Sequence, residues 1–368
     1  MDGLAYWVAL HQVPGIGARR FKQLVDYFGS AYAVWQAGES ALRLVPGIPP
    51  TLVESLLKHR SQINPEQKLE EALTRGFSVL SLADPDYPAN LRTIYDPPPV
   101  LYVKGQIRPE DSQALAIVGS RKATPYGKAV AEKLGEELAA AGFCIISGLA
   151  RGIDTCSHVG ALRGSGRTIA VLGSGLDIVY PRENLRLFEK IVEHGAVISE
   201  FPVGTPPEPV NFPSRNRIIS GLARGVIVVE ATKNSGALIT SDFALEQGRD
   251  VFAVPGPITS RYSVGTNRLI KQGAKLIESV EDVLEEYVMP TLFSQVDTTT
   301  GKEIPVKLTQ EEQELLENIS FEPITKEKLI ILTGKSSQEV STRLMFLELK
   351  GMVRQLPGQL YILSQRQE

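Results

Sequence analysis

The segment Leu115-Ala-Ile-Val-Gly-Ser-Arg121 decides the fold of this 368-residue chain. It is an apolar run that ends in a turn of small residues, and Pro125 follows at a position suited to the first turn of a helix. This order predicts a strand, a turn and a helix, with backbone N–H groups of the turn directed at an anion. Arg121 adds a planar guanidinium donor. We therefore expect an anion site where this strand ends.

Around this segment, residues 111–287 alternate strand patterns with helical patterns. Continuous apolar runs such as Gly225-Val-Ile-Val-Val229 are typical of a parallel sheet that is covered on both faces. The alternation predicts the α/β class, with an extended, Rossmann-like, mostly parallel sheet that is doubly wound. The predicted strands are Ala114–Gly119, Phe143–Ser147, Thr168–Gly173, Ala196–Ser199, Gly225–Glu230, Asp250–Val254 and Ala274–Ile277. The predicted helices are Tyr126–Ala140, Thr155–Leu162, Glu183–Glu193, Arg215–Leu222, Ala237–Gln247 and Thr266–Gln272.

The core domain is predicted to cover residues 66–288. Its first part, residues 66–110, adds two strands, Phe77–Leu82 and Val100–Lys104, which are separated by turns rich in Asp and Pro. These strands extend the sheet.

Residues 1–65 are predicted to form a helical domain of the helix-hairpin-helix (SAM-like) type. Val13-Pro-Gly-Ile-Gly17 lies between two apolar-periodic segments, and Val45-Pro-Gly-Ile-Pro49 repeats the pattern. In this motif the hairpin amides approach a DNA phosphate. Pro49 has no N–H to donate, which favours a structural role for the second copy. For the first copy, a DNA contact and a plain helix-packing turn both remain open.

The C-terminal part of the chain changes in character. Residues 289–306 are rich in Thr, Gly and Pro, which predicts a linker. Residues 307–368 then show the order helix, helix, helix, hairpin, which predicts a winged-helix domain with Ser336–Lys350 in the recognition position. Because the charges of that helix are balanced, DNA recognition and a role in protein interaction both remain open.

The composition is that of a soluble globular protein, with a formal net charge of -3. A protein that coats DNA by bulk charge would be basic, so a nucleic-acid site here must be a local patch. The two cysteines, Cys144 and Cys156, form no zinc ligand set. We expect a cytoplasmic protein with reduced thiols and no membrane segment, because neither a signal-peptide pattern nor a membrane-span pattern is present.

A second segment, Phe212-Pro-Ser-Arg-Asn-Arg217, places an aromatic ring, two guanidinium groups and an amide close together. Pro213 and the arginines favour a loop or edge setting for Phe212, where its ring can stack on a base; a core position is the alternative. Lys122, which follows Arg121, adds charge to the first segment. A phosphate site beside aromatic and basic residues favours a nucleic-acid strand over a dinucleotide cofactor.

The second core strand ends at Ser147 and Gly148, where glycine lets a ligand approach the backbone. Asp154 is predicted to be the N-cap of the following helix. His158, one turn later, is predicted to be a packed or exposed histidine rather than the acid–base partner of Asp154.

The predicted strand that ends at Glu230 is also followed by a turn of small residues that opens a helix. Ser235 and Gly236 can offer a hydroxyl and an amide to a phosphate. Glu230 could be a catalytic carboxylate, but an ion pair with Arg215 or Arg217 is favoured.

The motifs of common nucleotide enzymes are absent. The turn at Gly119 lacks G-x-G-x-x-G, and the chain has no Walker A pattern. We therefore expect no cofactor, no metal ion and no catalysis. One alternative is a nucleotide hydrolase, because the core distantly resembles the Rossmann-like phosphoribohydrolases, although their P-G-G-x-G-T signature is absent. Another is a duplex-DNA regulator that uses the two ends of the chain.

Several segments resemble the DprA/Smf family of DNA-processing proteins, in order and over nearly all of residues 100–280. They include LAIVGSRKATPYG, SGLARGIDTCSH, IAVLGSGLDIVYPREN, FPSRNRIISGL and GTNRLIKQGAKLI. The resemblance implies a cytoplasmic protein, dimeric through the Rossmann-like core, that binds single-stranded DNA in natural transformation. It also implies that the protein shields incoming strands and helps to load the RecA recombinase.

The resemblance maps the strand-binding pocket onto part of the residues identified above. The full predicted site consists of Gly119, Ser120, Arg121, Lys122, Ser147, Gly148, Phe212, Arg215, Asn216, Arg217, Ser235 and Gly236. One departure concerns Pro209, because many relatives have a basic residue three positions before the phenylalanine. That phosphate contact is therefore missing here or supplied by another residue.

Overall fold

A computed structural model describes residues 3–287, 310–316, 318–320, 323–349, 352–356 and 360–363. The chain divides into two compact units, Met1–Pro290 and Thr291–Glu368. The predicted linker, residues 289–306, lies outside the described residues.

The first unit contains one nine-stranded sheet. Its strands are β1 Ser78–Ser81, β2 Val100–Gly105, β3 Ala114–Val118, β4 Cys144–Ser147, β5 Thr168–Val171, β6 Ala196–Ser199, β7 Gly225–Val228, β8 Asp250–Ala253 and β9 Lys275–Leu276. The spatial order is β1-β2-β6-β5-β4-β3-β7-β8-β9. The strands from β6 to β9 in this order are parallel, whereas β2 is antiparallel to both β6 and β1. The predicted mostly parallel α/β sheet is confirmed.

Helices cover the sheet and form the N-terminal region. They are α1 Leu4–His11, α2 Ala18–Phe28, α3 Ala31–Gln36, α4 Glu39–Arg43, α5 Pro50–Arg60, α6 Pro65–Leu73, α7 Ala89–Arg92, α8 Pro125–Ala140, α9 Ile153–Arg163, α10 Leu185–His194, α11 Asn211–Leu222, α12 Gly236–Glu246, α13 Val264–Lys271 and α14 Glu281–Tyr287. Every residue of β3 is buried. Ala114 and Ala116 belong to one apolar cluster, and Leu115 and Ile117 to another. Because successive strand side chains point to opposite faces, β3 is covered on both sides.

The chain changes its direction of winding at β3. From β3 it proceeds outward through β4, β5 and β6, and it then returns to the other side of β3 to form β7, β8 and β9. Ligands of open α/β sheets bind outside the carboxyl ends of the strands at such a switch point. The topology therefore places a crevice beside the loops that follow β3 and β7.

The N-terminal region is helical, as predicted. Its two hairpins turn at Gly15 (φ +90°) and Gly47 (φ +73°), a backbone conformation that favours glycine. Val13 and Ile16 of the first hairpin are buried in the core of these helices. The amide of Ile16 donates to the carbonyl of Val13.

The second unit has the predicted order of elements. It consists of α15 Gln310–Leu316, β10 Ile324–Thr325, α16 Lys326–Thr333, α17 Ser337–Leu349, β11 Val353–Leu356 and β12 Leu360–Leu363. The sheet order is β10-β12-β11. Leu315, Leu329 and Leu344 are buried in its core.

In the part of the chain that the structure describes, none of the helices combines the length and apolarity needed to cross a bilayer.

The early starts of helices α9 and α11 change the predicted roles of site residues. Helix α11 begins at Asn211, so Phe212 lies in its first turn and not in a loop. Helix α9 begins at Ile153, and its N-cap is Gly152. Gly152 has φ +77°, and a Cβ at this position would collide with the carbonyl oxygen of Ser120. Only glycine fits there, so the prediction that Asp154 is the N-cap was wrong.

Candidate nucleic-acid interface

An open cleft of about 990 Å³ lies at the switch point. Most of the predicted site residues line it: Gly119, Ser120, Arg121, Lys122, Phe212, Arg215, Asn216, Ser235 and Gly236. Ser147, Gly148 and Arg217 are not among its lining residues. The structure thus brings together residues from the loops after β3 and β7 and from the start of α11.

The loop between β3 and α8 is held by Glu230. The carboxylate of Glu230 accepts hydrogen bonds from the amide (2.9 Å) and the hydroxyl (2.5 Å) of Thr124, the N-cap of α8. The predicted ion pair between Glu230 and Arg215 or Arg217 was wrong, because the Glu230 side chain bonds to Thr124.

The amides of this loop are less available than the sequence predicts. The amide of Ser120 donates to the carbonyl of Glu230 (2.8 Å), and the amide of Lys122 donates to the hydroxyl of Ser120 (3.2 Å). Two amides that we expected to face an anion are therefore satisfied within the protein. The side chains of Arg121 and Lys122 are exposed and carry the charge of the loop.

Two guanidinium groups lie near the Phe212 ring. The Cζ of Arg121 is 4.7 Å, and that of Arg215 is 5.8 Å, from the centroid of the Phe212 ring. The ring of Tyr180 lies 6.0 Å away, centroid to centroid, and Tyr180 is 42% exposed. Phe212 itself is half-buried. An aromatic surface with adjacent cations results, which is the combination that single strands bind by stacking and charge.

Arg215 is a buried cation at the floor of the cleft. It is 3% exposed, and its Nη1 donates to the carbonyl of Gly148 (2.6 Å) and to that of Val171. Burial lowers the pKa of Arg215 to about 10, so the group remains charged at neutral pH. Burial raises the pKa of Asp154, and the positive charge of Arg215 opposes that rise.

Ser147, Gly148 and His158 have structural environments below the cleft. The hydroxyl of Ser147 donates to the carbonyl of Ile117 (2.6 Å). Gly148 leaves room for Arg215, because a Cβ there would collide with the guanidinium. His158 is fully buried, with its Nδ1 2.7 Å from the hydroxyl of Thr168. The expectation of a packed histidine is therefore confirmed.

Arg217 faces away from the cleft. It is buried and forms an ion pair with Glu200, and its Nη1 donates to the carbonyl of Asp96 (2.7 Å). Residues two positions apart on a helix do not share a face. Arg215 and Arg217 therefore lie in different surroundings, and the DNA contact of Arg217 stays a prediction from the sequence.

The loop after β7 forms the other wall. The hydroxyl of Ser235 accepts a hydrogen bond from the amide of Ala237 (3.3 Å) as the N-cap of α12. The side-chain amide of Asn216 donates through Nδ2 to the carbonyl of Gly236 (3.2 Å) and thereby links α11 to this loop. Lys233 is exposed and lines the cleft.

Sequence reasoning missed several lining residues. These are Tyr180, Lys233, Asn234, Arg261 and Tyr262. Tyr180 follows β5, and Arg261 and Tyr262 follow β8. Since the carboxyl ends of parallel strands meet at one edge, their positions after predicted strands were the available signal. Pro209, the predicted departure from the family pattern, also lines the cleft.

The cleft is basic although the chain as a whole is weakly acidic. Among the described residues, no carboxylate forms an ion pair with Arg121, Lys122, Lys233 or Arg261. The same part of the chain contains no cluster of three or more His, Cys, Asp or Glu side chains that could hold a metal ion. Exposed cations beside aromatic rings can bind an unpaired strand through its phosphates and its bases.

Comparisons with known proteins agree with this geometry. A family model for DNA recombination-mediator protein A matches residues 78–288, and one for the DprA winged helix domain matches residues 302–359. Protein Smf of Synechocystis sp. is 38% identical over 97% of this chain and 98% of its own length.

Two solved structures are also similar. The crystal structure of DNA processing protein A from Streptococcus pneumoniae has a TM-score of 0.68 and 37% identity, over 77% of this chain and 97% of that chain. DNA processing protein A from Helicobacter pylori, described for its single-stranded DNA binding mode, has a TM-score of 0.52 and 30% identity, over 58% of this chain and 95% of that chain.

Proposed function

The chain belongs to the DNA recombination-mediator protein A (DprA/Smf) family, and we propose that it binds single-stranded DNA in the cleft at the switch point. The family resemblance predicted from the sequence is thus confirmed. The observation that carries the proposal is the contact between Arg121 and the Phe212 ring, 4.7 Å from Cζ to centroid, in a cleft with unpaired cations. The description of the Helicobacter pylori protein supports it.

The proposal has a specific division of roles. Phe212 stacks on a base, while Arg121 and Lys122 bind phosphates from the β3 side and Ser235, Gly236 and Lys233 bind from the β7 side. Arg215 and Asn216 support this surface from below. Lys122 and Lys233 line the same cleft as Pro209 and supply the positive charge that relatives place at that position.

The wider role follows the family. We propose that the protein acts in DNA processing during natural transformation, shields incoming strands, helps to load RecA and forms a homodimer through the sheet-containing core in the cytoplasm. We also propose three domains, residues 1–65, 66–288 and 307–368, with a linker at residues 289–306. The role in DNA processing is supported by the description of the matching family model, DNA recombination-mediator protein A.

We further propose that the protein is not an enzyme. The carboxylate of Glu230, which could act as a catalytic group where β7 ends, already accepts hydrogen bonds from both donors of Thr124. Nucleotide hydrolysis is the alternative. It is tested by incubating the protein with AMP, with and without Mg²⁺, and separating the products by chromatography. Free base or ribose phosphate that disappears in Glu230→Gln would replace the binding proposal.

The binding proposal is tested by fluorescence polarisation with single-stranded DNA, duplex DNA and AMP over a salt series. We expect the single strand to bind most tightly, with an affinity that falls as salt rises because counterions are released. Equal or tighter binding of the duplex would favour a duplex-DNA regulator.

A further inference from the structure

The cleft holds a second guanidinium–aromatic pair. The Cζ of Arg261 lies 4.8 Å from the centroid of the Tyr262 ring, and its Nη2 donates to the Tyr262 hydroxyl (2.8 Å). Both residues line the same cleft as Phe212 and Arg121. The two pairs have the same chemistry. Arg121 and Phe212 come from the β3 loop and from α11, whereas Arg261 and Tyr262 both come from the loop after β8.

Tyr262 is held firmly to the sheet by its backbone. Its carbonyl accepts from the amide of Ala231 (2.8 Å), and the carbonyl of Ala231 accepts from the amide of Gly265 (2.8 Å). Ala231 directly follows Glu230, the residue that secures the β3 loop. Tyr262 and the β3 loop are therefore both anchored to the segment that follows β7.

The two pairs lie over different strands. Phe212 packs at the end of β5, because a Cβ on Gly173 would lie 3.1 Å from its Cδ1. Tyr262 lies in the loop after β8. The carbonyl of Tyr262 bonds to Ala231, which follows β7. The sheet order separates β5 from β7 by three inter-strand steps, which correspond to about 14 Å at roughly 4.8 Å per step. A stacked strand advances about 3.4 Å per nucleotide, so this distance exceeds the length of a mononucleotide.

We propose that Arg261 and Tyr262 form a second nucleotide-binding position, so that one single strand crosses the switch point from Phe212 to Tyr262. The Tyr262 ring stacks on a base, and Arg261 contacts a phosphate beside it. Lys233 and Ser235, which line the same cleft, bind the backbone of the strand. This inference rests on the proposed function and adds the direction and extent of the bound strand.

The test is fluorescence polarisation with the full chain and a thymidine oligonucleotide of about twelve nucleotides, within the site sizes known for such grooves. Tyr262→Ala should weaken binding about five- to 150-fold, the range that corresponds to one stacked base. Tyr262→Phe, which keeps the ring, should bind like the wild type. Tyr126→Ala is the matched control, since Tyr126 is 55% exposed and lies outside the lining of the cleft.

Two further measurements separate the roles. Arg261→Ala, at an exposed position, should reduce the slope of log affinity against log salt by about one. In competition assays, Tyr262→Ala should weaken the twelve-nucleotide strand but leave a dinucleotide unaffected, because two adjacent bases cannot span the distance from Phe212 to Tyr262.

The outcomes distinguish this inference from the proposed function. If Phe212→Ala weakens binding but Tyr262→Ala and Arg261→Ala do not, the second position is absent while the cleft remains the binding site. If Tyr262→Ala weakens both strand lengths equally, Tyr262 only shapes the Phe212 position and the inference is wrong. If none of these variants alters binding in folded protein, the proposed function itself fails.

Discussion

The Glu230 carboxylate binds both polar groups of Thr124, its backbone amide at 2.9 Å and its hydroxyl at 2.5 Å. Thr124 in turn caps α8 through the amide of Gly127 (3.1 Å). Gly127 must remain small, because a Cβ at this position would collide with the Glu230 carboxylate. This contact between the segments after β7 and β3 determines where Ser120 and Arg121 lie.

Glu230→Ala should lower the free energy of unfolding by about 1–3 kcal/mol, because it leaves two part-buried donors of Thr124 without their acceptor. Urea denaturation measures the loss. Gly127→Ala should have a similar effect by displacing the same carboxylate. If either variant is as stable as the wild type, the contact does not hold the loop.

Arg121→Ala should weaken single-strand binding by about 1–3 kcal/mol, the range for a charge-assisted hydrogen bond. The slope of log affinity against log salt should also fall by about one, because one phosphate contact is lost. Arg121 is exposed, so circular dichroism should be unchanged. Unaltered affinity would exclude the β3 loop from the binding site.

Phe212→Ala should weaken binding by about 1–3 kcal/mol, the contribution of one stacked base. The salt dependence should remain nearly intact, since no charge is removed. Phe212→Tyr or Phe212→Trp should restore most of the affinity. A clear fall in the salt slope, or unfolding of the variant, would indicate that the ring mainly positions Arg121 and Arg215.

Arg217→Ala should act on stability rather than on DNA binding. Removal of this guanidinium leaves Glu200, which is 7% exposed, as an unpaired buried carboxylate. Breaking such a pair costs about 3–5 kcal/mol. Urea denaturation measures this cost, and polarisation on the folded variant should give nearly wild-type affinity. A tenfold loss of affinity in folded protein would instead support the contact that the sequence predicts.

His158 should make the protein less stable in acid. Burial, together with the positive charge of Arg215, lowers the pKa of His158 to about 3. The hydroxyl of Thr168 donates to Ile145 (2.6 Å), so Nδ1 of neutral His158 must donate to that hydroxyl. Below a pH of about 6.5 the unfolded chain binds a proton that the folded protein does not. The free energy of unfolding therefore decreases as the pH is lowered from about 6.5 to about 3.

The contribution of His158 can be isolated by comparison with His158→Asn, whose amide can still donate to Thr168. Between about pH 6 and pH 4, the wild type should lose about 1.4 kcal/mol per pH unit more than the variant. The comparison is needed because the raised pKa values of Asp154 and Glu200 act in the opposite direction. Parallel pH profiles would show that His158 takes up its proton in the folded state.

The sequence by itself determined the sheet and the position of the cleft. Apolar runs such as Leu115–Val118 can be buried only in a sheet covered on both faces, and this pattern is local along the chain. A small-residue turn after such a strand lies at the edge where parallel sheets bind ligands. The β3 loop, Phe212 and the loop at Ser235 could therefore be identified from their positions after strands or from their composition.

Only the tertiary structure decided which side chains face the cleft. Arg215 and Arg217 are similar in sequence, but the turn of α11 directs one to Gly148 and the other to Glu200. Glu230 meets Thr124, 106 residues away along the chain, and not an arginine. Tyr262 reaches the cleft because β8 lies beside β7. These pairings depend on strand order and helix rotation, which are set by the packing of the whole sheet and not by any short segment.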